Sequence, residues 1–176
     1  GAMMYVLVSP AKKMNTDATL VEKPTIPSLL DDSELLIEEA KKKTVSDLKK
    51  LMGISDKLAT LNVDRFQQFS TPFTEENAKP AIHFFAGDTY VGLNAKTMSA
   101  EDIDYAQEHL GILSGLYGLL RPKDLIQAYR LEMGTKMKNK RGKNLYEFWG
   151  AKIAQEINTY TKKHSEQVVI NLASNE

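Results

Sequence analysis

The sequence predicts an α/β (or α+β) domain in which helices pack on a small mixed sheet, with core strands near 4–8, 110–114 and 168–173. Three observations support this. Short apolar runs rich in β-forming residues (MYVLV at 4–8, the run ending in GILS at 111–114, and VVINLA at 168–173) lie far apart in the chain. Helical patterns with their own capping residues fill the intervals. The 176 residues, 42% hydrophobic and 26% charged, suit one folded domain.

Each element has a local reason. Gly1-Ala2-Met3 ahead of Met4 reads as a cloning remnant, so the domain is taken as 4–176. MYVLV stops at Ser9-Pro10, and the three prolines between 10 and 27 predict a surface loop. Leu29, Leu36, Ile37 and Ala40 are helically spaced, with five acids from Asp31 to Glu39 on the remaining faces. Thr44 caps a second helix through Leu48 and Leu51, which Gly53 stops, and Ser55 caps a third carrying Leu58, Leu61, Phe66 and Phe69. PAIHFFAGDTYVGL, residues 80–93, favours a strand and a turn at Gly87-Asp88, with a short helix before Gly87 as the alternative. Ser99 with Asp102 opens a helix that turns Ile103, Ala106 and Leu110 inward. Another helix starts near Asn144, with Glu147 at its third position and one apolar stripe from Leu145 to Tyr160. VVINLA closes the chain as a buried strand with almost nothing after it, so the chain is expected to be the truncated part of a longer protein.

Composition narrows the function. Lys+Arg and Asp+Glu are both 23, so nucleic-acid binding has to rest on a local patch. With no cysteine, disulfides, thiolate metal sites and a cysteine nucleophile are excluded. No signal peptide is expected from MYVLVSPAKK, whose apolar run is too short, and the longest apolar stretch is about half of the roughly 20 residues of a membrane span. A cytoplasmic protein with no membrane partner is the expectation. His83, His109 and His164 show no ligand spacing, and no nucleophile elbow occurs. No metal and no cofactor are expected, and whether the protein is an enzyme stays open.

Two features carry candidate chemistry. The three apolar runs each end at a serine: Ser9, Ser114 and Ser174. Parallel neighbouring strands would make their trailing loops converge, as ligand crevices do at strand carboxyl ends. That crevice gathers Ser9, Lys12, Ser114, Gly115, Tyr117, Gly118, Arg121, Asn171, Ser174 and Glu176, a set suited to a small anionic or nucleotide-like ligand, with Glu176 as the available base. Turn capping is the plainer role for these serines. The glycines of SGLYGLLRPKDL fit three roles: close backbone packing, a phosphate-cradling turn, or a helix-hairpin-helix turn whose Gly-apolar-Gly core is one residue too long here. The second feature is TKMKNKRGK, residues 135–143, where Lys136, Lys138, Lys140, Arg141 and Lys143 meet no acid, with Lys123 and Arg130 upstream. It is either a phosphate-contacting patch or a solvated loop.

VSPAKK (8–13), ISDKLATLN (54–62), FAGDTYVGL (85–93), LSGLYGLLRPKDLIQAYRLEMG (113–134), NLYEFWG (144–150) and VVINLASNE (168–176) together resemble the YaaA family of peroxide-stress proteins. The resemblance implies a cytoplasmic bacterial protein that limits oxidative damage to DNA and protein during hydrogen peroxide stress. It also implies lowered free iron, DNA binding (duplex or branched), and a positively charged cleft with a helix-hairpin-helix-like element in or beside residues 99–125. With no convincing iron site in the sequence, an indirect effect on iron is the expectation. An enzyme acting on a nucleotide, base or small anion is the alternative.

Overall fold

The computed structural model describes residues 3–162, 164 and 167–174. The chain opens with β1 (Met3–Val8) and a short β2 (Lys13–Met14), followed by α1 (Leu30–Ala40), α2 (Val45–Met52) and α3 (Asp56–Gln68). A run of short elements follows: β3 (Lys79–Pro80), α4 (Ala81–Phe84), β4 (Phe85–Ala86) and α5 (Asp88–Leu93). Next come α6 (Ala100–His109), β5 (Leu110–Ser114), β6 (Gly118–Leu120) and β7 (Leu125–Ile126). The last elements are α7 (Leu145–Trp149), α8 (Lys152–Thr161) and β8 (Gln167–Asn171).

The main sheet has the order β6-β5-β1-β8. β1 is central and runs parallel to both neighbours, with Val6 opposite Leu110 on one side and Tyr5 opposite Val169 on the other. Only β6 is antiparallel, folding back on β5 with Leu113 opposite Leu119. Alternation along β1 divides the core in two. Val8 joins the large cluster with Ile112, Leu120, Phe66 and Trp149, while Tyr5 and Leu7 point to the other face, under Ile153, Ile157 and Tyr160 of α8. The sheet is thus covered on both sides, as its apolar strands require.

Capping sets the helix boundaries. Thr44 and Asp47, and again Ser99 and Asp102, form reciprocal capping boxes at α2 and α6. The Ser55 hydroxyl accepts from the Leu58 amide at 3.2 Å to start α3. Gly53, at φ 63°, closes α2 in the left-handed conformation that glycine tolerates best.

Two expectations are corrected. Pro80 ends β3, and residues 81–93 hold α4, which is the alternative of a short helix before Gly87, then the two-residue β4 and α5, in place of the favoured strand and turn. β4 pairs with β2 across Met14 and Phe85, a long-range partner that local pattern does not reveal. The stripe from Leu145 to Tyr160 is broken at Gly150, whose φ of 50° divides it into α7 and α8. α7 buries Leu145, Phe148 and Trp149 in the large cluster, and α8 lies over the opposite face. No helix among the described residues is long and apolar enough to cross a membrane.

Candidate functional site

Because β1, β5 and β8 are parallel, their carboxyl ends share one edge of the sheet. Ser9 and Ser174 meet there: the Ser174 amide donates to the Ser9 hydroxyl oxygen at 2.7 Å, and the two hydroxyls lie 3.0 Å apart. Asn171 stabilises the same turn, its side-chain oxygen accepting from the Ala173 amide at 2.9 Å. Around them a cavity of about 180 Å³ opens between Pro10, Leu113, Met133 and Tyr146. Glu176 lies outside the described residues.

Ser114 sits at the end of β5 but is fully buried and turned inward. Its oxygen accepts from the Tyr117 amide at 3.0 Å and pairs with the Tyr129 hydroxyl at 2.7 Å, so it builds the turn and does not line the crevice. Tyr117 is also fully buried, and its hydroxyl donates to the Gln127 carbonyl at 3.0 Å. Burial pushes that phenol well above its ordinary pKa. The glycines pack backbone closely. A Cβ on Gly115 would lie 2.1 Å from the Leu131 carbonyl oxygen, and Gly118, at φ 74°, fits between Leu29 and Trp149. Residues 99–125 therefore form one helix followed by a β-hairpin, and the helix-hairpin-helix expected there is not formed, because β6 takes the place of its second helix.

The same hairpin corrects the placement of Arg121 and Lys123. β6 runs antiparallel to β5, so residues leaving it emerge at the opposite edge of the sheet. There the Arg121 guanidinium donates to Asp124 at 2.9 Å and to the Ile26 carbonyl at 2.9 Å, with its centre 5.3 Å from the Tyr160 ring. Lys123 is buried and pairs with Asp104 at 2.8 Å. Both line a separate cavity of about 470 Å³ with Thr25, Gln107 and Glu108.

Lys12, on the loop after β1, and Arg130, on the loop after β7, line a small neighbouring cavity. Lys12 and Arg130 share Glu132, at 3.4 Å and 3.5 Å. The Nε of Arg130 is buried and has no acceptor among the described residues. Arg65 of α3, held by Asn62 at 3.3 Å, has its pKa lowered by burial and then by the charge of Arg130. A second cavity of about 180 Å³ lies between Arg130, Glu132, Gly134, Thr135 and the end of α2 at Leu51 and Met52. Glu132 and the α2 end are parts of this cavity that sequence reasoning missed.

The 135–143 loop leads out of this region. Lys140 is tied to Glu38 at 2.7 Å, and Arg141 to Asp32 at 2.6 Å while lying 4.4 Å from the centre of the Phe148 ring. Lys152 also reaches Asp32, at 2.8 Å. Burial pushes the Asp32 carboxyl up, but the hydrogen bonds from Lys152 and Arg141 outweigh it and hold the pKa below its usual value. Lys136, Lys138 and Lys143 are exposed and make no ion pair among the described residues. No group of three or more His, Cys, Asp or Glu that could hold a metal ion occurs among the described residues.

This is an α/β protein whose parallel strands end together at Ser9 and Ser174, beside a cavity at the usual place for a ligand in such sheets. The chain belongs to the YaaA family of peroxide stress proteins, since the family model described as "Peroxide stress protein YaaA" matches residues 4–176. It is 53% identical over 174 residues to a UPF0246 protein of Pseudoalteromonas translucida, covering 98% of this chain and 67% of that protein. A UPF0246 protein of Saccharophagus degradans is 54% identical over 174 residues, 98% of this chain and 68% of its own length. The relative from Shewanella sediminis is 53% identical over 175 residues, again 98% and 68%.

Proposed function

We propose that this peroxide stress protein binds DNA, duplex or branched, along the crevice and the loop that leaves it, and so limits oxidative damage to DNA and protein in the cytoplasm. The effect on free iron is then indirect. One observation carries the reading: Lys136, Lys138 and Lys143 extend from the crevice wall exposed and without ion pairs among the described residues, although the chain is neutral overall. Cations left uncompensated in a neutral protein favour a polyanion.

A second element supports it. α2 and α3 are joined only by Gly53, Ile54 and Ser55, the build of a helix-hairpin-helix. Leu51 and Met52 at its turn line the cavity beside Arg130, while Lys50 and Lys57 on either side of the turn are exposed. Backbone N–H groups at such a turn and at the start of α3 are suited to a phosphate. On this reading residues 45–68, and not the expected 99–125, supply the helix-hairpin-helix-like element.

The test is a titration of one duplex and one branched DNA at several salt concentrations, with a Lys136→Glu, Lys138→Glu, Lys143→Glu variant alongside. Weaker binding is expected for the variant, with a salt slope shallower by about one for each phosphate that a lysine no longer neutralises. A variant that binds like the parent at every salt rules out this surface.

A small anionic ligand is the second reading, favoured by the meeting of Ser9 and Ser174 at parallel strand ends. A nucleotide at 100 times its dissociation constant stabilises the fold by about 2.7 kcal/mol. Flat melting temperatures across a nucleotide panel count against it.

A further inference from the structure

We propose that the cavity between α4, α5 and the loop after β2 is a receptor for a nucleobase, whose edge is bound by His83, Asn15 and Asn94 beside a wall of Phe85 and Tyr90. The cavity has a volume of about 280 Å³ and shares no lining residue with the one at Ser9 and Ser174. It therefore goes beyond the readings above and rests on neither. FAGDTYVGL, a stretch that the DNA reading leaves without a role, forms most of it. Long-range contacts shape the walls. The Asn15 backbone N–H donates to the Phe84 carbonyl at 2.7 Å, which sets the loop after β2 against α4. The Tyr90 hydroxyl donates to the Ser9 carbonyl at 2.8 Å, which anchors α5 beside the end of β1.

His83 carries the inference. Its side chain is 9% exposed and lines the cavity, yet its ring makes no hydrogen bond among the described residues. Its nitrogens are not sealed from the surface, as the Tyr5 hydroxyl, the Arg130 Nε and the His164 Nε2 are. A buried imidazole thus has both nitrogens open to whatever occupies the cavity, and a partner there removes the cost of leaving them unpaired. Burial, and then the charge of Lys96, lower its pKa, so the neutral ring presents one donor and one acceptor at pH 7. The Asn15 side-chain oxygen accepts from the Asp17 amide at 3.0 Å, which fixes the carboxamide and leaves its NH2 group for a ligand. Asn94, at φ 48°, closes α5 and adds a second, exposed carboxamide. Phe85 and Tyr90, with ring centres 5.4 Å apart, supply the aromatic wall. No carboxylate lines the cavity among the described residues. An aromatic wall with neutral donors and acceptors at its edge matches a flat, uncharged heterocycle rimmed by donors and acceptors, which is the chemistry of a base. A free nucleoside and an unpaired DNA base both present it.

Isothermal titration of the chain with the four uncharged deoxynucleosides, and with deoxyribose as the blank, tests the proposal. One saturable site is expected for at least one nucleoside and none for deoxyribose. His83→Phe keeps a ring in place and removes both nitrogens, so it is expected to weaken binding about tenfold or more. Where His83→Phe folds poorly, Asn94→Ala decides the matter, since the residue is exposed; a loss of about threefold or more is expected. Tighter binding of a duplex carrying one unpaired base than of a fully paired one, lost in His83→Phe, assigns the pocket to DNA bases. Nucleoside binding without that preference assigns it to free nucleosides. Absence of saturable binding for all four, deoxyribose binding as tightly as a nucleoside, or parental affinity in the deciding variant overturns the proposal. Paired-duplex binding that persists in those cases leaves the DNA reading standing, and nucleoside binding without duplex binding does the reverse.

Discussion

Replacing Gly115 by alanine adds one methyl group where backbone already stands. Its Cβ would lie 2.1 Å from the Leu131 carbonyl oxygen, 2.9 Å from the Glu132 carbonyl carbon and 3.0 Å from that of Leu131. No side chain can rotate away, so either the hairpin turn or the 131–132 segment must move. Moving the turn strains the 2.9 Å hydrogen bond that the Trp149 indole donates to the Gly115 carbonyl in a buried setting. Overpacking of this kind costs about 1–3 kcal/mol, and a weakened buried hydrogen bond about 1 kcal/mol more. A loss of about 3 kcal/mol is expected, which lowers the melting temperature of a chain this size by roughly 6–12 °C. Gly92→Ala is the control: it sits exposed in α5 with nothing within 4 Å, and should stabilise by about 0.4–1 kcal/mol. Urea unfolding of both variants gives the two free energies. A Gly115→Ala protein within about 0.5 kcal/mol of the parent refutes the reasoning.

The remaining expectations concern charge and burial. Asp32→Asn removes the acid shared by Arg141 and Lys152, and should cost about 2 kcal/mol by urea unfolding, less than a fully buried pair because the two cations are half exposed. Because the folded pKa of Asp32 is depressed, its contribution is complete above the unfolded value of about 3.9 and is lost as pH falls through the lower folded value. An acid titration of the melting temperature should therefore show a smaller drop in Asp32→Asn than in the parent. Tyr5 is fully buried and its hydroxyl has no partner among the described residues. Tyr5→Phe should accordingly stabilise the fold by about 1 kcal/mol, visible as a higher urea midpoint.

Most of the scaffold was legible because its signals are local. Thr44 with Asp47, Ser55, Gly53, and Ser99 with Asp102 define helix ends through contacts within a few residues. Continuous apolar runs marked β1, β5 and β8, and their shared serine endings suggested the parallel arrangement that brings Ser9 to Ser174. Placement that depends on a reversal of the chain was not legible. Ser114, Arg121 and Lys123 are close in sequence, yet the β5–β6 hairpin buries the first and sends the other two to the far edge. Asp124, three residues after Arg121, was the available hint that this arginine is paired. Glu132 could have been found two residues after Arg130.

Amide hydrogen exchange with and without a saturating DNA duplex tests the placement of the binding face most directly. Slowed exchange is expected at residues 50–57 and 130–143, with residues 104–108 and 121–124 at the opposite edge unchanged. Protection confined to that opposite edge, or none at all at the α2–α3 turn and the basic loop, contradicts a DNA interface at the crevice.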